Sequence, residues 1–237
     1  MNCIIDRGNT KTKIYFFDSK TLNRAVHFRN DENELIEDCL EQNQFDYGII
    51  SSSADTPAYF EKYNLLRFSH QSTLPIKLNY RTPHTLGTDR IALAVGALET
   101  YPESNSLIIS LGTCITMDIL NNKAVYEGGI IAPGIHMRRK AMHTQTANLP
   151  LIDMKALKNP PLIGKSTEES MASGIIHATQ AEINGLIQRF ESIYNDLTVI
   201  LTGGDMDLFE FHAKNKIFAQ PNLQAIGLNR ILIDHVS

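Results

Sequence analysis

A strand–turn–strand pattern near the start of the chain constrains its fold more than any other feature. In residues 4–18 a short apolar run ends at Asp6, a polar turn contains Gly8, and a run rich in β-branched and aromatic residues follows from Lys13. Residues 108–120 repeat this order. Two such hairpins about a domain apart predict a duplicated domain, with two Gly- and Thr-containing turns that face one cleft. The alignment of the copies pairs Asp6 with Ser110, Gly8 with Gly112 and Lys13 with Met117.

The first turn has the residue types of an anion site. Gly8 and Asn9 tolerate positive φ, so the backbone can fold back tightly and direct N–H groups and the Thr10 hydroxyl into one concavity. Lys13 offers a charge for a phosphate, and the Asp6 carboxylate can hold a hydrated Mg²⁺. An ordinary hairpin with a solvated turn explains the same residues, and the second copy favours the phosphate site. The pattern G-x-x-x-x-G-K-[ST] is absent from the sequence, which disfavours a P-loop.

Composition narrows the class of protein. The 237 residues fit one large or two small domains, and a net charge of −4 gives no basic footprint for nucleic acid. The three cysteines, Cys3, Cys39 and Cys114, fit neither a disulfide framework nor a zinc pattern and suggest small core residues in a reducing compartment. No apolar run approaches the ~18 residues of a membrane span. Asp6 and Arg7 interrupt the apolar residues at the start of the chain, so the layout of a signal peptide is not expected there. We expect a cytoplasmic protein without nucleic-acid or membrane partners.

The first half predicts three strands, a helix and a strand, the order of a ribonuclease-H-like domain. After the hairpin, residues 24–28 form a third strand, 31–42 a helix and 47–51 a buried strand. The inner face of the helix is predicted to carry Leu35, Ile36, Cys39 and Leu40.

A Gly-Thr-Asp-Arg segment, residues 87–90, precedes a strong helix over 91–98. Thr88 or Asp89 caps this helix in the simplest interpretation. Capping leaves Arg90 unexplained, because a cation is unfavourable in the first turn. A helix N-terminus beside Arg can bind a carboxylate, and an ionised Asp89 can accept a hydroxyl proton as a general base. Tyr80 is either a surface aromatic or a wall of a substrate pocket.

The second half repeats the hairpin and continues with helices and strands. A basic segment of this half is either a solvated helix face, the simpler interpretation, or a subunit contact. It contains His136, Arg138, Arg139, Lys140 and His143. Thr167 lies near the cap of a long helix. Gly203-Gly204-Asp205 follows a buried strand, and it is either a close-approach site for a ligand such as adenosine or a tight turn. The further predicted elements are a strand over 124–131 broken at Gly128-Gly129, helices over 135–142, 169–194 and 223–235, and a strand over 198–202.

These motifs together resemble the type III pantothenate kinase family, within the actin, hexokinase and heat-shock-ATPase superfamily. The resemblance runs over essentially the whole chain, and the five segments are specific in their order and spacing. They are residues 6–13, 87–90, 112–116, 128–134 and 201–205.

The resemblance implies an α/β fold of two tandem ribonuclease-H-like domains, each with a mixed sheet flanked by helices, and a nucleotide cleft between them. The domains are expected at 1–104 and 105–237. The implied activity is ATP-dependent phosphorylation of the primary hydroxyl of pantothenate, the first step of coenzyme A biosynthesis. Mg²⁺ is the implied cofactor, and the family is dimeric, with a pantothenate pocket closed partly by the second subunit. That gives the His143 segment an interface role.

Site residues follow from the resemblance position by position. Asp89 is the expected proton acceptor, and Arg90 is expected near the pantothenate carboxylate. Substrate contacts are also expected from Tyr80, Gly87, Thr88 and Thr167. The expected ATP contacts are Asp6, Arg7, Gly8, Asn9, Thr10, Lys11, Thr12, Lys13 and Thr113.

One position departs from the family pattern. Ser110 stands where the family usually has an Asp that helps bind an activating monovalent cation, K⁺ or NH₄⁺. Because Ser has an oxygen but no charge, its attraction for K⁺ is expected to be much weaker. Two alternative functions stay open, a superfamily kinase for another small substrate and a non-catalytic regulatory protein.

Overall fold

A computed structural model describes residues 1–211 and 216–237 of the chain, which forms two compact units. Unit 1 comprises Met1–Pro102, Ala124–Tyr126 and Asn222–Ser237, and unit 2 comprises Glu103–Lys123 and Glu127–Pro221. The C-terminal segment thus groups with unit 1, whereas the sequence placed it in the second domain. The domain boundary at residue 104 stays a prediction.

Unit 1 is built on a mixed sheet whose first three strands form the predicted meander. Strands β1 (Asn2–Arg7), β2 (Lys11–Asp18) and β3 (Thr21–Arg29) are antiparallel neighbours. Strands β4 (Tyr47–Ser52) and β5 (Leu65–Arg67) continue the sheet in parallel on the other side of β1. The sheet order is β3-β2-β1-β4-β5. The predicted strand order of this half is confirmed.

Helix α1 (Asn33–Glu41) covers one face of this sheet, because its buried residues pack against alternate residues of the strands. The packed side chains are Ile36, Cys39 and Leu40 on the helix and Cys3, Ile5, Ile14 and Phe16 on β1 and β2. Leu35 was predicted on the inner face and is 53% exposed. The prediction was wrong because Leu35 lies just outside the arc of the helix circumference that Cys39, Ile36 and Leu40 occupy.

Helices α2 (Thr88–Thr100) and α6 (Leu223–Val236) pack against each other, and α6 also packs on β1 and β4. The helices approach to backbone contact at two glycines. A Cβ on Gly96 would lie 2.1 Å from the Leu223 carbonyl oxygen, and one on Gly227 would lie 1.8 Å from that of Ala92. Residues Arg90 to Ala97 are all buried on α2.

Unit 2 contains the second hairpin, β7 (Asn105–Leu111) and β8 (Cys114–Leu120), which is antiparallel. Strand β10 (Leu197–Thr202) pairs in parallel with β7, and β11 (Ile217–Ala219), an element that was not predicted, pairs with β10. On the other side of β8 lies β9 (Val125–Pro133), whose first residues pair in unit 1 with β6 (Lys77–Leu78).

Strand β9 is continuous through Gly128 and Gly129, where a break was predicted. Gly128 has a φ of 103°, and a Cβ on Gly129 would lie 2.1 Å from the Met117 carbonyl oxygen. The two glycines thus permit a local distortion and a close approach to β8 without ending the strand.

The helices of unit 2 are α3 (Ile135–Thr144), α4 (Thr167–Ser173) and α5 (Thr179–Ile193). A π-helical turn, Gly174–Ala178, joins α4 to α5, so the long helix predicted from 169 to 194 is a composite. Its predicted inner residues Met171, Ile175, Ile183 and Ile187 are buried against Leu107, Ile109, Met117 and Val199 in the unit 2 core.

Candidate functional site

The first hairpin forms as predicted, but neither Gly8 nor Asn9 in its turn has a positive φ. Asp6 lies opposite Lys13, and residues 8–10 form the turn. Gly8 donates its N–H to the Lys11 carbonyl at 2.9 Å, and the Asn30 side chain donates to the Gly8 carbonyl at 2.8 Å. Among the described residues the glycines with positive φ are Gly128 and Gly203, so Gly8 does not use its conformational freedom. The turn is held by Asn30 instead.

Two predicted ATP-contacting side chains face inward. The Arg7 guanidinium is buried, donating from Nε to the Asp55 carbonyl at 2.9 Å and from Nη1 to the Thr12 hydroxyl at 2.8 Å. Thr12 in turn donates to Asn30 Oδ1 at 2.8 Å. Arg7 and Thr12 therefore brace the hairpin, and ATP contact from them would have to come from the backbone. Asn9, Thr10 and Lys11 are exposed, while Gly8 and Lys13 are half-buried.

The Asp6 carboxylate is held between two side chains at the end of β1. Gln224 Nε2 donates to its Oδ1 at 2.9 Å, and Lys13 Nζ lies 4.0 Å from its Oδ2. Burial raises the pKa of Asp6, and the Asp89 charge raises it further, while Lys13 and the Gln224 hydrogen bond lower it. Sequence analysis did not identify Gln224, because nothing local to α6 signals a partner at the opposite end of the chain.

Asp6 suits a magnesium ion that is shared with phosphates. Mg²⁺ is commonly bound through one or two carboxylates plus phosphate oxygens and waters rather than by a full protein cage. Within residues 1–211 and 216–237 no group of three or more His, Cys, Asp or Glu side chains is arranged for a metal. The single carboxylate of Asp6, with an exposed fraction of 18%, fits the shared mode of binding.

The start of α2 presents Asp89 to solvent. Gly87 is the N-cap residue without a side-chain capping bond, so the predicted cap at Thr88 or Asp89 was wrong. Asp89 Oδ1 instead accepts the Arg90 backbone N–H at 2.9 Å. A Cβ on Gly87 would lie 2.4 Å from that same oxygen, so a larger residue there would require the Asp89 side chain to move. Thr88 is half-buried.

An aromatic residue from β9 supports Arg90. Arg90 is 5% exposed, and its guanidinium carbon lies 5.9 Å from the centre of the Tyr126 ring. Tyr126 is fully buried and contacts Tyr80 edge to face, with the ring centres 6.1 Å apart. Unit 1 thus brings the predicted substrate residues Tyr80 and Arg90 together on Tyr126. Sequence analysis missed Tyr126, although its position two residues before Gly128-Gly129 was a usable signal.

The second turn is one residue shorter than the first. Ser110 lies opposite Thr116 and Leu111 opposite Ile115, which leaves only Gly112 and Thr113 in the turn. Thr116 therefore corresponds to Lys13, and the predicted equivalence of Met117 was wrong by one position. The second hairpin has no cation at this place. Ser110 is half-buried.

Two backbone segments of unit 2 approach the second turn closely, at Gly134 and at Gly203. Gly134, the N-cap of α3, donates to the Thr113 carbonyl at 3.2 Å, and a Cβ there would lie 2.2 Å from the Gly112 carbonyl oxygen. Gly203, with a φ of 103°, packs on Leu111 so closely that a Cβ would lie 2.2 Å from its carbonyl oxygen. A ring of close backbone contacts thus fixes the exposed Thr113.

Side chains near this turn are partly constrained. Burial raises the pKa of Asp205, and the His136 charge opposes that shift. Cys114 is half-buried with its Sγ 3.9 Å from Met137 Sδ, so it is less a core residue than Cys3 and Cys39. Thr167, the first residue of α4, is exposed after the Ser166 cap and borders an open cavity of about 630 Å³.

Solved structures define the fold class. The activator of 2-hydroxyisocaproyl-CoA dehydratase from Clostridium difficile, with bound ADPNP, aligns over 99% of this chain and 94% of its own, with a TM-score of 0.55 and 12% identity. A candidate N-acetylmannosamine kinase from Listeria monocytogenes aligns over 100% and 99%, with a TM-score of 0.53 and 10% identity. The chain therefore shares with these proteins an α/β fold of two sheets flanked by helices. The predicted α/β class is confirmed.

The family follows from sequence comparison. The family model for type III pantothenate kinase matches residues 2–189. The type III pantothenate kinase of Christiangramia forsetii is 44% identical, and that of Cytophaga hutchinsonii is 43% identical, each over 98% of both chains. The chain belongs to the type III pantothenate kinase family, as the sequence motifs predicted. The roles assigned to individual residues remain predictions.

No helix among the described residues combines the length and apolar character needed to cross a bilayer.

Proposed function

We propose that this protein is an ATP-dependent kinase that phosphorylates the primary hydroxyl of pantothenate to give 4'-phosphopantothenate, the first step of coenzyme A biosynthesis. The observation that carries the proposal is the 44% identity to a type III pantothenate kinase over 98% of both chains. The geometry of unit 1 supports it, because an exposed carboxylate and a buried guanidinium are adjacent at one helix N-terminus.

On the substrate side, Asp89 is proposed to orient the pantothenate hydroxyl and accept its proton. Its exposure leaves Oδ2 available while Oδ1 is held by the Arg90 N–H. A carboxylate is a weak base, but a loose phosphoryl-transfer transition state requires proton removal only late. Arg90, supported by Tyr126, is proposed to attract the pantothenate carboxylate. Further proposed contacts come from Tyr80, Gly87, Thr88 and Thr167.

On the ATP side, the exposed part of the first turn and Thr113 of the second are proposed to contact the phosphates. Lys13 is the cation of the first hairpin, and its partial exposure lets it reach an anion. Asp6 is the residue proposed to hold Mg²⁺. When bound with the nucleotide, this ion would neutralise charge on the phosphates. Phosphoryl transfer needs positioning and charge stabilisation above all, and the braced hairpin supplies the positioning.

A requirement for K⁺ or NH₄⁺ is proposed to be weak or absent. Ser110 offers a hydroxyl and no charge, and its cross-strand neighbour Thr116 is also neutral. Attraction for a monovalent cation would then depend on neutral oxygens alone.

A homodimer is proposed because unit 2 exposes several large apolar side chains. Leu162 is 72% exposed and Ile163 is 78% exposed, with Ile131, Met137 and Leu151 exposed as well. Such large side chains in solvent are typical of a surface that a partner covers. The nearby basic helix is partly committed inside unit 2, because Arg138 bonds Glu182, Arg139 donates to the Ile152 carbonyl, and His143 bonds that of Leu149. We place the protein in the cytoplasm.

The test is ATP consumption by purified protein with pantothenate, with and without K⁺ or NH₄⁺, beside light scattering for the oligomeric state. Pantothenate-dependent turnover that neither cation changes supports both the kinase and the altered cation site. Turnover that requires a cation contradicts the inference from Ser110. Absence of turnover at any salt, with turnover of another acceptor from a panel of small alcohols and acids, contradicts the proposed substrate.

A further inference from the structure

Gln224 connects helix α6 to the end of strand β1, where the proposed function places Asp6. It lies in the first turn of α6, and its side-chain amide reaches Asp6 at the end of β1. Its Nε2 donates to Asp6 Oδ1 at 2.9 Å in a partly buried setting. The proposed roles do not use this residue, and no motif of the sequence contains it.

We propose that Gln224 is a positioning residue that fixes the Asp6 carboxylate for Mg·ATP. A carboxylate at a strand end can rotate about its side-chain bonds, and a hydrogen bond to one oxygen removes that freedom. With Oδ1 bound to the amide, Oδ2 is the oxygen directed toward Lys13, whose Nζ is 4.0 Å away. The fixed orientation commits Oδ1 to Gln224 and leaves Oδ2, which faces the partly exposed Lys13 ammonium, as the oxygen that the metal–nucleotide complex would share with that cation.

The position of α6 makes this hydrogen bond dependable. The backbones of α6 and α2 are in contact at Gly96 and Gly227, so α6 cannot slide without a clash. A second polar bond lies at the opposite end of β1, where Asn2 Nδ2 donates to Asn229 Oδ1 at 2.9 Å in the buried interior. The glycine contacts with α2 and the Asn2–Asn229 hydrogen bond thus fix the position of the helix that carries Gln224.

An amide is better suited to this task than a charged donor. Lys or Arg at residue 224 would form an ion pair with Asp6 and compete with a divalent cation for it. A neutral amide donates a hydrogen bond and leaves the carboxylate charge available to the metal. Second-sphere hydrogen bonds of this kind commonly change metal affinity or activity by a factor of about 10 or more.

The inference depends on the proposed role of Asp6, and its test reads nucleotide binding apart from catalysis. Gln224→Met keeps the length of the side chain and removes the donor. By calorimetric titration we expect Mg·ATP to bind about tenfold more weakly to this variant. Binding of ATP in EDTA and the KM for pantothenate are expected to stay within about twofold of the wild type. Gln188→Met, on the exposed face of α5, is the matched control and is expected to change none of these quantities.

A second background tests whether Gln224 acts through Asp6. The double variant Asp6→Ala, Gln224→Met is expected to bind Mg·ATP with the same affinity as the single variant Asp6→Ala. Equal Mg·ATP binding by Gln224→Met and wild type overturns the proposal, and so does equal weakening of Mg·ATP, free ATP and pantothenate, which indicates a merely structural role. If Asp6→Ala itself binds Mg·ATP normally, the proposal also fails.

Folding and function are separated by two further measurements. If Gln224→Met does not fold, Gln224→Ala is the alternative variant, because alanine is the best helix former. If neither variant folds, Gln224 has a structural role and the proposal is overturned. If wild type binds Mg·ATP but never phosphorylates pantothenate, the proposed substrate fails. In that case the binding results for Gln224 still decide this inference.

Discussion

Two carboxylates of unit 1 have different environments and therefore suit different roles. Asp6 is mostly buried, and burial raises its pKa, whereas Asp89 is exposed at a helix N-terminus. The charge of Asp89 is near enough to raise the pKa of Asp6. Residues that act on substrate and on the metal–nucleotide complex are commonly distinguished in this way by their surroundings.

Replacement of Asp89 by Asn should separate catalysis from nucleotide binding. The Asn side chain keeps an oxygen that can accept the Arg90 N–H but cannot accept the substrate proton. We expect kcat to fall by about 100-fold or more, while the dissociation constant for ATP stays within about twofold. Steady-state kinetics with pantothenate and a calorimetric ATP titration measure the two effects. Near-normal turnover by Asp89→Asn would mean that another group accepts the proton.

Replacement of Tyr126 tests how Arg90 is held. Tyr126→Leu removes the ring 5.9 Å from the guanidinium and the edge contact with Tyr80. We expect the KM for pantothenate to rise about fivefold with a smaller change in the KM for ATP. Tyr126→Phe keeps the ring and serves as the control. Similar KM values for the Leu and Phe variants would contradict a role of the aromatic face.

At the scale of elements, the pairing of α2 with α6 determines much of unit 1. Helices that approach to backbone contact need residues without a Cβ at the crossing, and Gly96 and Gly227 meet this need. A charged cluster lies beside the crossing, where Glu99 accepts hydrogen bonds from Arg230 at 2.6 Å and bonds Lys20 at 2.7 Å. The crossing and the cluster hold the helix that carries Gln224.

Gly227→Ala should destabilise the protein, and Gly185→Ala should not. A Cβ at Gly227 meets the backbone of α2 at 1.8 Å, and overpacking of this kind costs about 1–3 kcal/mol or more. Nothing lies within 4 Å of a Cβ at Gly185 in α5, so alanine there should add about 0.5–1 kcal/mol of stability through helix propensity. Chemical denaturation of both variants gives the comparison, and equal stabilities would contradict the close crossing.

The Glu99 cluster should make stability depend on pH. Burial raises the pKa of Glu99, but the hydrogen bonds and charges of Lys20 and Arg230 together leave it below its ordinary value. Ionised Glu99 therefore stabilises the folded state above the unfolded-state pKa of ~4.3, and this stability is lost as pH falls through the lower folded value. We expect Glu99→Gln to cost about 0.5–1 kcal/mol at pH 7 and progressively less below pH 4.

Urea denaturation at several pH values measures this effect. Arg24→Gln, which removes an exposed arginine hydrogen bonded to Asn43, is the control for a general change of charge. A cost for Glu99→Gln that is the same at pH 7 and pH 3 would show that Glu99 acts through packing.

The sequence predicted elements that depend on local patterns and missed contacts that depend on distant residues. Both hairpins, the helix at 223–235 and the first-half strand order were readable because alternating or apolar runs mark strands and helices. The length of the second turn could not be predicted, because Thr113 and Thr116 are compatible with a turn of either length. The Gln224–Asp6 bond and the Arg90–Tyr126 contact join residues with no shared local pattern. Strand β11 has three residues, too few for a periodic signal.

At the scale of the whole molecule, the chain leaves unit 1 after residue 102 and returns to it at 222. The intervening residues, apart from 124–126, form unit 2. Unit 1 is therefore discontinuous in sequence, and helix α6, which packs on α2, β1 and β4, follows unit 2 along the chain.

A chain that ends at residue 221 should lack an ordered unit 1. Without α6, the buried surface of α2 around Ala92 and Gly96 and the apolar residues of β4 lose their cover. We expect strong binding of an apolar dye and loss of a single cooperative thermal transition. The full chain is the control. A truncated chain that unfolds cooperatively at the wild-type temperature would show that α6 is dispensable for unit 1.

The return of the chain to unit 1 also sets an order of events on the ribosome. More than a hundred residues are synthesised between α2 and α6, which at roughly 5–20 residues per second takes on the order of 10 s. During that interval the nascent chain carries a sheet and an apolar helix without the helix that closes them. We therefore expect the nascent chain to expose the apolar residues of α2 and β4 until α6 has been synthesised.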